Sequence, residues 1–152
     1  MGEVAEVAIK RKLLVISCSK AKRKLFNKPA LEIYDGPYYK ILRKSNLSKI
    51  DVMIISAKYG LIDSNYEISN YDKQMTREIA QKMGPKISNS LIEALNSGKY
   101  DEAFFELGKN YMDAVGIDLS KHENLTINVD KGEIGVRLHN LKCWLRKIEK
   151  DH

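Results

Sequence analysis

Cys18-Ser19-Lys20-Ala21-Lys22 sets a thiol, a hydroxyl and two amines within one short stretch, directly after the apolar run Leu13–Ile16. A thiol among cations is favoured as thiolate, the form that attacks electrophiles. A thiol just past a core strand also packs well as a small apolar group. Both readings of Cys18 stand at this point. The same order of residues recurs where Val52–Ile55 runs into Ser56-Ala57-Lys58-Tyr59-Gly60. It returns where Ala103–Leu107 runs into Gly108-Lys109-Asn110-Tyr111. Small residues at a strand end let a ligand approach the backbone, and lysine adds a mobile cation suited to phosphate. Ser19 and Ser56 are therefore expected to hydrogen-bond a ligand. Lys20, Lys22, Lys58 and Lys109 are expected to hold its anionic part, with Gly60 leaving room beside them.

Acid–base work needs carboxylates or imidazoles near such a site. The candidates are Glu32, Asp72 and Glu106, of which Asp72 and Glu106 join Cys18 as the expected catalytic set. The three histidines, His122, His139 and His152, are scattered without metal-ligand spacing, and no Ser-His-Asp arrangement can be inferred. No Walker A or Gly-x-Gly-x-x-Gly pattern occurs, so no metal and no cofactor are expected. Tyr34, Tyr59, Tyr66 and Tyr71 cluster in the two lysine-bearing loops, where aromatic faces can stack on a nucleobase.

These side chains need a scaffold that brings strand ends together. The run Leu13–Ser17 reads as a strand buried on both faces. Ile50–Ser56 and Tyr100–Leu107 read likewise, and Leu125–Val129 alternates as an edge strand would. Pro37 opens a helix that fades near Ser45. Ile79, Met83, Ile87, Leu91 and Leu95 recur every fourth residue, as on an amphipathic helix, with Gly84-Pro85 expected to kink or divide it. Asp72 or Thr76 is expected to cap it. Ala57–Met75 reads as one long turn-rich loop, a kind that is often functional. Gly108–Val115 reads as a short helix, and Leu138–Ile148 as the last one, with Cys143 expected to be structural there. Alternating strands and helices imply an α/β three-layer sandwich with a mainly parallel sheet of about four strands. In such sheets ligands sit at the C-terminal edge of the strands.

The 152 residues suit a single domain, 1–152, with residues 1–11 as a lead-in. Hydrophobic residues at 43% and charged ones at 30% exclude a disordered chain, and no apolar run approaches a membrane span. The lead-in has no signal-peptide pattern, so a cytoplasmic location is expected. Two cysteines cannot build a disulfide framework, and both are expected reduced. A net charge of +6 points to an anionic partner. The expected partners are a nucleotide-like or phosphorylated small molecule, with RNA or DNA as a further possibility.

Cys18-Ser-Lys-Ala-Lys22, Ala30-Leu-Glu-Ile-Tyr34, Ile55-Ser-Ala-Lys-Tyr-Gly-Leu61 and Ile68-Ser-Asn-Tyr-Asp72 resemble, in order and spacing, the blocks of an uncharacterised microbial and phage family. Trp144-Leu145 fits the same pattern. The resemblance implies site residues more than a reaction. Ser17-Cys-Ser-Lys-Ala-Lys-Arg23 is also distantly similar to a signature in the lysine-transferring domain of archaeosine synthase, with Ser17 and Arg23 standing in place of two prolines. That similarity implies action on a modified base in tRNA. The layout is similar to Rossmann-like and uracil-DNA-glycosylase-like folds. The expectation is an enzyme acting on a nucleobase, nucleotide or modified nucleic acid, by transfer or by cleavage at the base or glycosidic bond. The alternative is a non-catalytic basic nucleic-acid-binding module built on Lys20–Lys28.

Overall fold

A computed structural model describes residues 10–116, 119, 122 and 124–150. Most of the lead-in and His152 lie outside the described residues. Strand β1 (Arg11–Ser17) takes the centre of the sheet, paired along both edges, with apolar middle residues that can be buried on both faces. β3 (Ile50–Ser56) and β6 (Tyr100–Glu106) pair with it in parallel, Ile16 standing opposite both Ile54 and Glu106. β7 (Thr126–Val129) extends the sheet beyond β6 as a parallel edge strand. β4 (Gly60–Asp63) closes the other side, antiparallel to β3, giving the order β4-β3-β1-β6-β7. The three expected strand endings therefore do share one edge.

Helices cover both faces. Leu14, Ile16, Cys18 and Phe104 face α1 (Ala30–Ile33), α2 (Pro37–Arg43) and α5 (Ile134–Lys150), where Leu42, Leu141, Trp144 and Leu145 meet them. Leu13, Val15, Ala103 and Phe105 face α3 (Arg77–Leu95) and α4 (Lys109–Val115), packing on Ile87, Leu91, Ala114 and Val115. Neighbouring residues of one strand point to opposite faces, so the unbroken apolar run of β1 feeds both cores at once. Each fully buried Leu or Ile contributes about 1.5–3 kcal/mol.

Three expectations need correction. The segment 57–75 is not a structureless loop. Gly60, at φ +78°, turns the chain back so that β4 pairs with β3, and β5 (Glu67–Ile68) pairs with β2 (Lys28–Pro29) to form a separate two-stranded strap. α3 is not divided at Pro85 but runs without a break through it. A Cβ on Gly84 would meet the Ala114 carbonyl oxygen at 3.3 Å, so glycine lets α4 pack close there, and the burial of Ile87 and Leu91 outweighs one missing N–H. Cys143 is exposed rather than packed, 3.4 Å from the His139 ring on the outer side of α5. Of the two expected caps, Thr76 serves, its hydroxyl accepting the Ile79 N–H at 3.2 Å.

Candidate functional site

β1 ends at Ser17, and the next residue, Cys18, is 9% exposed, with its N–H still bonded to the Ile55 carbonyl. Its Sγ lies 2.9 Å from the Tyr111 hydroxyl in the first turn of α4. That contact bridges the point where connections leave the sheet in opposite directions, β1 towards β3 and β6 towards β7. Such switch points form the ligand crevice of open α/β sheets. Tyr39, brought up by α2, donates its hydroxyl to the Ser17 carbonyl at 2.7 Å and fixes the strand end from below.

Beside it, β3 ends at the fully buried Ser56. Its Oγ accepts the N–H groups of Lys58 and Tyr59, both at 3.1 Å, which shapes the turn. With both lone pairs used, its own hydrogen points to the Tyr71 hydroxyl at 2.9 Å. Tyr71 in turn meets the Tyr34 hydroxyl at 2.6 Å. Three hydroxyls from three segments thus form one chain. Burial raises the Tyr71 and Tyr111 phenols well above their ordinary range, and pushes Tyr34 up to about 12. All three stay protonated donors near neutral pH.

Two cations address the same ring. Lys22 Nζ lies 4.5 Å from the Tyr71 centroid and Lys58 Nζ lies 5.6 Å from it. Lys22 is half-buried, and that burial lowers its pKa, against the opposing pull of Cys18 and Asp72. Tyr59 and Tyr34 set edges against Tyr71 at 5.6 and 6.2 Å between centroids. The Tyr71 ring is therefore held by two aromatic neighbours and two ammonium groups, an arrangement that attracts negative charge and offers a flat face.

Of the residues expected at the site, Cys18, Lys22, Ser56, Lys58, Tyr59 and Tyr71 come together. Tyr34 joins them as a buried hydroxyl, and with 0% exposure it has no face to offer a ligand. Ser19 pins the loop, its Oγ accepting the Asp35 N–H at 3.0 Å and donating to the Ala21 carbonyl. Asp72 is exposed and acts on Lys22 through its charge. Gly60 faces the other side of the sheet, near Met83 and Ile87. Lys20 and Lys109 are exposed, and Lys20 meets the cluster through its carbonyl, which accepts from Lys22 Nζ at 3.3 Å.

Glu106 belongs to a second polar group one strand away. It is 1% exposed, and its Oε1 lies 2.6 Å from Arg137 Nη2, a close ion pair without an aligned N–H. Asp130, at the end of β7, and Tyr38, on α2, complete that group.

Tyr39 and Tyr111 were not expected at the site, although Tyr111 stands in the third strand ending. Tyr38, Asp130 and Arg137 lie on three different elements and gave no local signal. Among the described residues no His, Cys, Asp and Glu group could hold a metal ion, and no helix is long and apolar enough to cross a membrane. A cleft of about 340 Å³ between α2 and α5 is lined by Lys40, Lys44, Lys142, Arg146 and Glu149 over Ile41 and Leu145. Its charges are those of exposed surface side chains, whereas the strand ends bring a thiol, hydroxyls and two ammonium groups together.

No curated protein matches the chain. A solved structure, the crystal structure of AF0587, a protein of unknown function, is similar in fold, with a TM-score of 0.55 at 10% sequence identity. The likeness covers 90% of this chain and 44% of that one, so the chain spans less than half the length of that protein. A family model described as "Family of unknown function (DUF6884)" matches residues 13–143. By that match the chain belongs to the DUF6884 family.

Proposed function

We propose that the C-terminal edge of the sheet binds a nucleotide-like ligand and acts on its base, by transfer to the base or by cleavage at the base or glycosidic bond. The observation that carries this reading is the convergence of Lys22 and Lys58 on the Tyr71 ring, near the Cys18 thiol. An anionic group would sit between the two ammonium ions, and a base would lie on the exposed part of the Tyr71 or Tyr59 ring. Cys18 would serve as nucleophile, with the Tyr111 hydroxyl placed to donate to its sulfur. The exposed Asp72 carboxylate, whose charge acts on Lys22, would serve as acid or base. The archaeosine synthase resemblance supports the same class, a modified base in RNA, and with it a cytoplasmic role.

Stability reads this binding without knowledge of the reaction. A ligand at a hundred times its Kd stabilises the folded state by about 2.7 kcal/mol. In a thermal-shift panel of bases, nucleosides and nucleotides, at least one nucleotide is expected to raise the Tm of the wild type. Lys58→Ala is expected to reduce that rise to a small fraction, while its own Tm stays near wild type because Lys58 is exposed. A panel without any shift, or an equal shift in Lys58→Ala, would overturn the reading.

One observation favours a second reading. Phe26 is 70% exposed within Lys20–Lys28, a stretch of five cations and no acid. Exposed aromatics among cations suit single-stranded nucleic acid without any catalysis. That module would bind oligonucleotides with an affinity falling steeply as salt rises.

A further inference from the structure

Glu106, Asp130, Arg137 and Tyr38 come from the ends of β6 and β7, from α5 and from α2, and meet below the surface of the same sheet edge. Glu106 is 1% and Asp130 8% exposed. Both oxygens of Glu106, Asp130 Oδ2, the Tyr38 hydroxyl and Arg137 Nε are buried without a hydrogen-bond partner. Arg137 pairs with Glu106, and the Asp130 carboxyl beside that pair adds a second acid to a group held out of water. An uncompensated buried charge is costly, and a carboxyl group escapes that cost by keeping its proton.

Which carboxyl keeps it follows from their partners. Asp130 Oδ1 accepts the Asn140 side-chain N–H at 2.7 Å and the Lys131 backbone N–H at 3.0 Å, donors that suit an ionised group. Glu106 has no such donors and depends on Arg137 alone. It is correspondingly pushed up to about 8, chiefly by burial and then by the neighbouring Asp130 carboxyl. The Tyr38 phenol is raised to about 12, by burial first and by Glu106 second, so it remains a neutral hydroxyl over which Arg137 packs at 5.8 Å.

We propose that Glu106 and Asp130 form an acid pair holding one proton between them, with Tyr38 and Arg137 as positioning residues, and that the pair is the proton donor of the neighbouring ligand site. Glu106 stands opposite Ile16, on the strand face that also carries Cys18 two residues on. That spacing sets it on the order of 7 Å from Cys18 along the strand direction. Donation moves one proton from Glu106 to a ligand atom and leaves the Glu106 carboxylate against Arg137, to be reprotonated from water. The donor role rests on the proposed nucleotide reading, whereas the shared proton does not.

Infrared spectroscopy of the ligand-free protein at neutral pH separates the two. Wild type is expected to show the carbonyl band of a protonated carboxylic acid, sensitive to exchange into heavy water. Glu106→Gln is expected to lose that band, and Asp130→Asn to shift it by changing the partner of the acid. Both substitutions preserve shape, and circular dichroism checks that the variants are folded. No such band in wild type, or an unchanged band in folded Glu106→Gln, would overturn the acid pair even if nucleotides bind. If the band is present but no nucleotide binds, the acid pair stands and its role as donor to such a ligand falls.

Discussion

Raising the pH from 5 to 9 is expected to weaken the fold by about 3 to 5 kcal/mol through Glu106 alone. Its folded pKa of about 8 lies above the ordinary 4.5, so the folded state holds a proton that the unfolded chain has released. The contribution is complete below pH 4.5, declines by about 1.4 kcal/mol per pH unit through the window, and is gone above pH 8. Other shifted groups act elsewhere. The carboxyls of Asp35 and Asp51 are lowered by hydrogen bonds, to Arg43 in one case and to Tyr100 and Arg11 in the other, and act on the acid side. The raised tyrosines act above pH 10. Glu106→Gln copies the protonated acid, since its amide can donate towards Asp130 as the carboxylic acid does. Urea unfolding at several pH values should give a falling midpoint for wild type and a nearly flat one for Glu106→Gln. A slope that persists in the variant would place its origin in another group.

The second large effect concerns Tyr71. Tyr71→Ala removes a ring touched by Tyr34, Tyr59, Lys22 and Lys58, and it opens space at the end of β3. Because Tyr71 is only partly buried, the cost is set near the lower bound for aromatic-to-alanine changes, about 3 kcal/mol. Tyr71→Phe keeps the ring and strips the hydroxyl that joins Ser56 to Tyr34, leaving two buried hydroxyls short of a partner for about 1–2 kcal/mol. The pair also separates ring from hydroxyl in binding. Tyr71→Phe should retain nucleotide-induced stabilisation, and Tyr71→Ala should lose it. Equal retention in both would remove the Tyr71 ring from the ligand site.

Much of this arrangement was legible in the sequence because it is local. An apolar run that stops at a small residue and a lysine announces a strand end, and three such runs gave the edge where Cys18, Ser56 and Glu106 lie. What was missed depends on long-range pairing. β4 is four residues long and sits among turn formers, so only its register against Met53–Ser56 identifies it as a strand. Pro85 reads locally as a break, yet the close approach of Gly84 to α4 and the buried stripe around Ile87 hold the helix together. The roles of Tyr34 and Ser56 were misjudged in kind. Both were expected to meet a ligand directly, but their oxygens are committed to the protein and serve to hold Tyr71. Asp130, Arg137 and Tyr38 carry no periodic or motif signal, and they meet Glu106 only because β6 and β7 end side by side beneath α2 and α5.

The proposed ligand site is the Tyr71 ring on which Lys22 and Lys58 converge. Titrating isotope-labelled protein with the nucleotide that gives the largest thermal shift, and following backbone amide resonances, locates the ligand without assuming a reaction. Saturable shifts are expected at 17–22, 56–59 and 71–72, lost in a folded Lys22→Ala/Lys58→Ala variant. Shifts concentrated instead at the cleft of Lys40, Lys44, Lys142 and Arg146, or unchanged in the double variant, would contradict it.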